Sequence, residues 1–271
     1  MNAIKKTICL GLALAVALLC GCSGGHKAPR RKTVESTERQ FTAPQEGEPI
    51  AIFTTDAGEI RCVLYPDVAP MAVYNFAGLA RTGYYDDTQF WRVIYGLAVQ
   101  GGDATGTGTG GSTIWSNHAY PLESSDTLRH YTGALCAAFG TGAEHSGGNS
   151  QFYFVTTLPD SVDAAGQEQL AGQGYPEEQV KAYAAAGGAP YLDHTDTVFG
   201  QIYEGLDVAD KIACAETEKT EDGEETDRPV EKDTVTIQHI TIARYPGPTA
   251  EELAEQFAAQ SEQADAEQKT E

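Results

Sequence analysis

The sequence predicts a mainly β fold in which short antiparallel strands form a closed or nearly closed barrel with two helices. Short apolar runs recur with turn residues between them, and outside one insertion just two segments of the body show a helical pattern. The length of 271 residues allows one domain of roughly 150 to 200 residues with appendages. We predict this domain at 49–245.

The first ordered elements are predicted to be a hairpin and a helix. In "IAIFTTDAGEIRCVLY", at 50–65, two apolar runs are divided by D-A-G, which favours a tight turn. The next stretch, "APMAVYNFAGLARTGYY", has Pro70 at a helix start and Gly83 just past an end. Apolar residues between them recur at helical spacing, which predicts an amphipathic helix.

The remaining strands follow from short apolar runs bounded by turn residues. A second helix is predicted at 206–212. The last strand lies within 234–243, where the apolar residues change phase around His239, as a bulge would require. The other predicted strands are 89–94, 98–100, 133–138, 151–156 and 197–203.

Two segments lie outside this barrel pattern. The insertion at 158–190 contains "YPEEQVKAYAAAGG", where Pro176, two early glutamates and Gly187 predict a short helix. The glutamates are explained by helix-start electrostatics, not by acid–base chemistry. The tail at 246–271 has seven acids against one lysine and predicts a frayed helix or a disordered segment.

The N-terminus predicts a secretory signal, because two lysines precede an apolar run at 8–19 that is too short for a comfortable membrane span. Its end, "LLCGCSGG", resembles the lipobox of bacterial lipoproteins. The resemblance implies a signal peptide at 1–21 and a lipid, palmitate included, on Cys22. Cys20 is the rival acceptor, but Leu19 before it is too large; an ordinary secreted product is the other alternative.

The segment 22–48 has almost no apolar residues and is predicted to be a disordered tether. The residues of one basic cluster in this segment, "HKAPRRK", could attract anionic lipid headgroups at the outer face of the cell membrane, or could belong to an ordinary charged linker. These residues are Lys27, Arg30, Arg31 and Lys32.

Charge and cysteine usage exclude two classes of function. The formal net charge of −21, which becomes −23 once 1–21 with its two lysines is removed, argues against a nucleic-acid partner. Cys62, Cys136 and Cys214 are too far apart in the sequence for a zinc motif, and we predict buried free thiols.

The loop "QGGDATGTGTGGS" contains Gly106, Gly108 and Gly111 in the spacing G-x-G-x-x-G. A dinucleotide fingerprint requires these glycines to open a helix, yet "STIWSNHAYPLESS" follows them without a helical apolar period. A phosphate-binding loop also fails, because no Lys-Ser or Lys-Thr follows. The glycines predict a turn-rich loop that needs no ligand.

Three motifs occur in a fixed order along the chain: "FWRVIYGLAVQGGDATGTGTGG", "GNSQFYFVT" and "YLDHTDTVFGQIYEGLDVADKI". Together they resemble the cyclophilin-type peptidyl-prolyl isomerases over roughly 50–243. The resemblance implies an eight-stranded antiparallel closed barrel capped by two helices, with 158–190 as a helical excursion. It also implies rotation of prolyl peptide bonds, which requires no cofactor, nucleophile or metal.

The resemblance assigns the catalytic role to Arg92, whose guanidinium would donate a hydrogen bond to the prolyl nitrogen of the twisted bond. The substrate peptide would be held by a further set of residues. These are Leu97, Ala98, Gln100, Ala138, Phe139, Tyr153, Tyr191, Leu192 and Asp196.

The pocket departs from the family pattern at several positions. Leu97 and Ala98 stand where Phe and Met are common, Tyr153 replaces a Phe, Tyr191 a Trp and Asp196 a His. A buried Tyr153 hydroxyl needs a partner. Asp196 could pair with Arg92 or favour basic substrates. The loop histidines His118, His130 and His145 are predicted to be solvated.

Two hypotheses follow. The first is a monomeric, lipid-anchored isomerase that acts on proline-containing segments of exported polypeptides and assists their folding. The second is a binding module or holdase of the same shape with little or no isomerase activity.

Overall fold

The computed structural model describes residues 26–139 and 147–256. Within them the predicted hairpin forms as β1 (Pro49–Thr55) and β2 (Gly58–Leu64), with Ile50 opposite Val63 and Thr55 opposite Gly58. The Thr55 hydroxyl donates a hydrogen bond of 2.6 Å to the Gly58 carbonyl, which closes the turn. The D-A-G turn is therefore confirmed.

The other strands confirm the mainly β prediction. They are β3 (Thr88–Gln89), β4 (Arg92–Ile94), β5 (Ala98–Gly101), β6 (Ala134–Ala137), β7 (Phe152–Val155), β8 (Thr197–Glu204), β9 (Thr217–Lys219), β10 (Glu225–Pro229) and β11 (Thr236–Arg244). Of the eleven strands in the described ranges, nine form one antiparallel sheet in the order β3-β11-β1-β2-β8-β6-β7-β5-β4, while β9 pairs with β10 alone.

The main sheet curls on itself. Its edge strands β3 and β4 are separated in the chain by Phe90 and Trp91 alone, so the two edges must lie beside one another. The single strand predicted at 89–94 is interrupted at these two residues, which is why the sheet has nine strands where eight are predicted. The predicted bulge is confirmed, because Thr54 pairs with His239 but Thr55 pairs with Ile237.

Two predicted helices, α1 (Pro70–Arg81) and α4 (Leu206–Ile212), form with the predicted bounds. Pro70 occupies the first turn of α1, where its missing N–H costs no hydrogen bond. The α1 residue Phe76 packs against Phe53, Phe152 and Phe199, with ring centroids 5.3 to 5.7 Å apart. The apolar face of α1 thus closes the core inside the curled sheet.

The insertion at 158–190 contains two helices, α2 (Ala164–Gly172) and α3 (Glu177–Ala186), of which the sequence predicts just the second. The Asp163 carboxylate caps α2 by accepting a hydrogen bond from the Gly166 N–H at 2.9 Å. The two helices bury a small core of their own against the barrel. It comprises Tyr131, Val162, Leu170, Ala182 and Tyr183.

The prediction of a disordered tether at 22–48 is wrong for the part that packs on the domain. The Arg31 guanidinium donates to both carboxylate oxygens of Asp210 on α4 at 2.6 Å. Gln40 is buried and bonds with Gln201 and with the backbone of Arg129. Arg31 is therefore engaged by a protein carboxylate, while Lys27, Arg30 and Lys32 of the same basic cluster are exposed.

The described end of the tail also packs on the domain. A helical turn begins at Ala250, and its Leu253 is buried against Ile50 and Ile52. The three cysteines of the described chain are buried as predicted, and burial raises the pKa of the Cys62 and Cys136 thiols. Cys20, Cys22 and His145 lie outside the described residues. Across the described ranges no helix has the length and apolar character to cross a bilayer.

Candidate active site

Three of the predicted site residues lie in one row across adjacent strands. Arg92 on β4 pairs with Gln100 on β5, and Gln100 pairs with Tyr153 on β7. Directly opposed residues of an antiparallel sheet project from the same face. The register therefore carries the guanidinium, the amide and the phenol into one cleft.

All ten predicted catalytic and substrate-binding residues line this one cleft, a cavity of about 490 Å³. Leu97 and Ala98 come from the turn and start of β5, and Ala138 and Phe139 follow β6. Tyr191 and Leu192 lie on a single 3-10 turn at Pro190–Leu192. The cleft also contains residues that the sequence analysis did not assign: Trp91, Ile94, Gly108, Asn149 and Gln151.

A chain of hydrogen bonds connects residues that line the cleft. The Arg92 Nη1 donates to Gln100 Oε1 at 3.3 Å, and Gln100 Nε2 donates to Gln151 Oε1 at 2.9 Å. The Gln151 amide donates in turn to the carbonyls of Gly108 and Gly110 at 3.1 and 2.7 Å. Gln151 thereby connects the predicted catalytic arginine to the glycine-rich loop.

The glycine-rich loop is held by one buried carboxylate. Asp103 accepts hydrogen bonds from the backbone N–H groups of Thr105, Gly108 and Gly110 at 2.6 to 3.1 Å. Burial opposes ionisation, but these bonds and one from the Thr105 hydroxyl outweigh it and hold the pKa of Asp103 below its ordinary value. The loop is thus ordered by hydrogen bonds within itself, and its succession of turns confirms the prediction of a turn-rich loop.

Two features require a glycine at position 108: its backbone conformation and the closeness of the Trp91 ring. The φ of Gly108 is +85°, in the left-handed region, and a Cβ there would lie 2.5 Å from the Trp91 ring. The large Trp91 ring and the glycine opposite it therefore fill one space. A side chain at 108 would displace this wall of the cleft.

Arg92 has a carboxylate partner that the sequence analysis did not identify. The Asp227 Oδ2 on β10 lies 2.9 Å from both Nε and Nη2 of Arg92. The prediction that Asp196 could pair with Arg92 is wrong, because Asp196 accepts a hydrogen bond of 2.7 Å from the Tyr153 hydroxyl instead. This bond supplies the partner that a buried Tyr153 was expected to need.

Asp196 is a half-buried carboxylate inside the cleft. Burial raises its pKa above the ordinary value, while the Tyr153 hydroxyl and the backbone of Phe139 oppose the rise. Desolvation is the largest cause of this shift, because burial disfavours the charged form of a carboxyl group. Asp196 is therefore easier to protonate than an exposed aspartate.

Tyr153→Phe is expected to raise the pKa of Asp196 further, since the variant removes a hydrogen bond that favours the carboxylate and leaves the burial in place. The measurement is a pH titration of the aspartate carboxyl carbons by NMR. Tyr74→Phe is the matched control, because Tyr74 is 72% exposed on α1. An unchanged or lower pKa in Tyr153→Phe would contradict the assignment.

The next residue, Asp193, holds the segment that carries Tyr191 and Leu192 in place through hydrogen bonds. Its Oδ1 accepts from the backbone N–H and Nδ1 of His130 at 2.9 and 2.8 Å, and its Oδ2 accepts from Tyr175 and Tyr183 at 2.9 and 2.7 Å. The prediction that His130 is solvated is wrong: its side chain is 1% exposed. His118 is exposed as predicted.

The sequence carried a signal for some of the unassigned residues. Trp91 and Gln151 stand inside the motifs "FWRVI" and "NSQFYF", beside residues that were assigned. Asp227 lies in the acidic run "EDGEETDRP", which has no apolar alternation, and nothing in the sequence distinguishes it from its neighbours. No group of three or more His, Cys, Asp or Glu residues that could bind a metal occurs in the described ranges.

The chain is similar to a known protein family over most of its length. The model of the family "Cyclophilin type peptidyl-prolyl cis-trans isomerase/CLD" matches residues 50–242. A Staphylococcus saprophyticus protein named "Putative peptidyl-prolyl cis-trans isomerase" is 43% identical over 164 residues, which cover 60% of this chain and 79% of the relative. A Staphylococcus epidermidis protein of the same name is 39% identical over 62% of this chain and 83% of its own length.

Solved structures show a similar fold. The crystal structure of a Cryptosporidium parvum cyclophilin-type isomerase, obtained in the presence of the dipeptide Ala-Pro, has a TM-score of 0.54 and 23% identity. The match covers 72% of this chain and 98% of that one. A second crystal structure of the same protein matches with a TM-score of 0.55.

Proposed function

The chain belongs to the cyclophilin-type peptidyl-prolyl cis-trans isomerase family and is such an isomerase; from this premise we propose that Arg92 carries its catalysis, on proline-containing segments of exported polypeptides. The observation on which this proposal rests is the row of Arg92, Gln100 and Tyr153 across β4, β5 and β7, facing one cleft.

The chemistry needs no covalent step. Rotation about the prolyl bond meets a barrier of about 18 to 20 kcal/mol because the C–N bond has partial double-bond character. At the twisted midpoint the nitrogen regains its lone pair, and a hydrogen bond from Arg92 forms with that state in preference to either planar state. A bond to a charged donor contributes about 1.5 to 3 kcal/mol, which corresponds to roughly ten- to a hundredfold in rate.

The rest of the cleft would grip the substrate while one amide turns. Leu97, Phe139 and Leu192 offer apolar surface for the proline ring, and the Gln100 amide lies beside the guanidinium to bond the substrate backbone. With its carboxylate facing the cleft, Asp196 would favour substrates that carry a basic residue near the proline. Leu97 offers no aromatic ring to the proline, and we expect this difference to change substrate preference.

We also propose a lipid anchor at Cys22. The lipobox-like sequence "LLCGCSGG" and the exposed lysines that follow it support this proposal. His26 stacks on Tyr95 with centroids 3.8 Å apart, and Tyr95 donates to the Lys27 carbonyl. Tyr95 directly follows Ile94 of the cleft. Four residues span roughly 14 Å at most, so an acylated Cys22 would hold this edge of the cleft close to the membrane.

Membrane anchorage is tested by growing bacteria that express the full chain with labelled palmitate. Label in the wild type and in Cys20→Ala, but not in Cys22→Ala, is the expected result. Equal label in Cys22→Ala would assign the lipid to another residue. No label in any variant, with the processed protein found in the medium, would favour an ordinary secreted isomerase.

A further inference from the structure

The hairpin of β9 and β10 lies beside the cleft, and two adjacent side chains connect it to Arg92 and to the glycine-rich loop. Asp227 bonds with Arg92, and the Arg228 Nη2 donates to the Gly106 carbonyl at 2.8 Å. At the base of the hairpin, Lys232 and Glu216 form an ion pair at 2.8 Å. The hairpin is thus fixed at its base and at two points beside the cleft.

From this arrangement we infer that Asp227 is a positioning residue for catalysis, which holds the Arg92 guanidinium in its reactive orientation. The inference rests on the proposed role of Arg92. Asp227 holds one edge of the guanidinium through Nε and Nη2, and Gln100 holds the other through Nη1. A planar group held on two edges has a defined plane and direction.

The contacts of Arg92 with Asp227 and Gln100 leave N–H donors of the guanidinium available to the substrate. A guanidinium has five N–H groups. Asp227 faces one on Nε and one on Nη2, and Gln100 accepts one from Nη1, so each Nη atom keeps an N–H group for the prolyl nitrogen and the substrate backbone. Asp227 therefore need not leave Arg92 for the reaction to proceed.

Arg92 needs such a restraint because its side chain is long and 41% exposed. An unrestrained arginine side chain loses considerable rotamer entropy when it adopts one orientation. A guanidinium that is already bound by other residues loses less entropy for each hydrogen bond that it forms with the substrate. Catalysis depends on donors that are in place before charge or a lone pair develops. Asp227, itself 49% exposed, restrains the group without burying its charge.

The test compares Asp227→Ala, Asp227→Asn and Asp222→Ala in the isomerisation of a short Xaa-Pro peptide, with kcat and KM obtained separately by NMR exchange. A half-exposed ion pair contributes a modest interaction free energy, so the loss of the one that orients Arg92 has a modest effect. Asp227→Ala should therefore lower kcat about two- to fivefold at unchanged KM. Asp227→Asn, which keeps an acceptor oxygen, should fall between it and the wild type. Asp222 is exposed at the turn of the same hairpin, and its variant should match the wild type.

Two further readouts separate positioning from a structural effect. The Arg92 Nε–Hε NMR signal should move in Asp227→Ala but not in Asp222→Ala. In an Arg92→Ala background, Asp227→Ala should have no additional effect on kcat, because the two residues act through one group. An unchanged or higher kcat in Asp227→Ala, or an equal fall in Asp222→Ala, would overturn the inference. An Arg92→Ala variant of full activity would instead refute the proposed catalytic site.

Discussion

Arg92→Ala is expected to lower kcat/KM for a short Xaa-Pro peptide by about ten- to a hundredfold, because the variant removes a charged hydrogen-bond donor that acts on the twisted prolyl bond. Arg92 is partly exposed at the rim of the cleft, so the fold should be retained. The measurement is NMR exchange between the cis and trans peptide, with the wild type and variant at equal concentration.

Two control variants show whether the loss of rate is specific to the guanidinium of Arg92. Arg92→Lys keeps the positive charge but not the planar fork that bonds with both Asp227 and Gln100, and it should recover little of the lost rate. Arg81→Ala removes an exposed arginine at the end of α1 and should leave the rate unchanged. Full activity in Arg92→Ala would show that another group carries catalysis. Peptide binding without exchange in the wild type would favour the binding-module hypothesis.

Asp193→Ala is expected to lower the free energy of unfolding by about 3 to 5 kcal/mol, as removal of one partner from a buried ion network does. The side chains of Asp193 and His130 are each 1% exposed, and the Arg129 guanidinium lies 3.8 Å from the same carboxylate. Without Asp193, His130 and two tyrosine hydroxyls lose their acceptor, and the Arg129 guanidinium loses a nearby negative charge. Urea unfolding followed by circular dichroism measures the change.

Asp160→Ala is the control, because Asp160 is exposed in the same insertion; it should change stability by less than about 0.5 kcal/mol. A loss below about 1 kcal/mol in Asp193→Ala would show that the network contributes little. The wall that carries Tyr191 and Leu192 adjoins Asp193, so a larger KM for the peptide is expected alongside the loss of stability.

The effect of Asp193 should depend on pH in a defined direction. Burial alone would raise its pKa, but hydrogen bonds from His130 and Tyr183 outweigh burial and hold the pKa below the ordinary 3.8. A depressed pKa stabilises the folded state above the unfolded value of about 3.9, and this stabilisation is lost as pH falls through the folded value. The difference in the free energy of unfolding between the wild type and Asp193→Asn should therefore become smaller below about pH 4. A difference that grows in acid would contradict this assignment.

Much of the site could be predicted because its residues stand in contiguous motifs on paired strands. Once "RVIYGLAVQ" forms a tight hairpin, Arg92 and Gln100 must project from one face, and the alternation of strands carries Tyr153 to the same row. The assignment to the family and its activity followed from the same motifs. The sequence therefore determined the barrel strands, α1 and α4, and its resemblance to the family identified ten of the residues that line the cleft.

Three features were decided by tertiary structure. Asp227 meets Arg92 because a polar hairpin, with no apolar pattern to predict it, lies beside the edge strand β4. His130 is buried because the insertion packs over its loop and supplies two tyrosines to the shared carboxylate. Arg31 orders the N-terminal segment through Asp210, which is 179 residues away. Local patterns report which face of an element avoids water, whereas ion pairs between distant polar segments depend on where the completed fold places them.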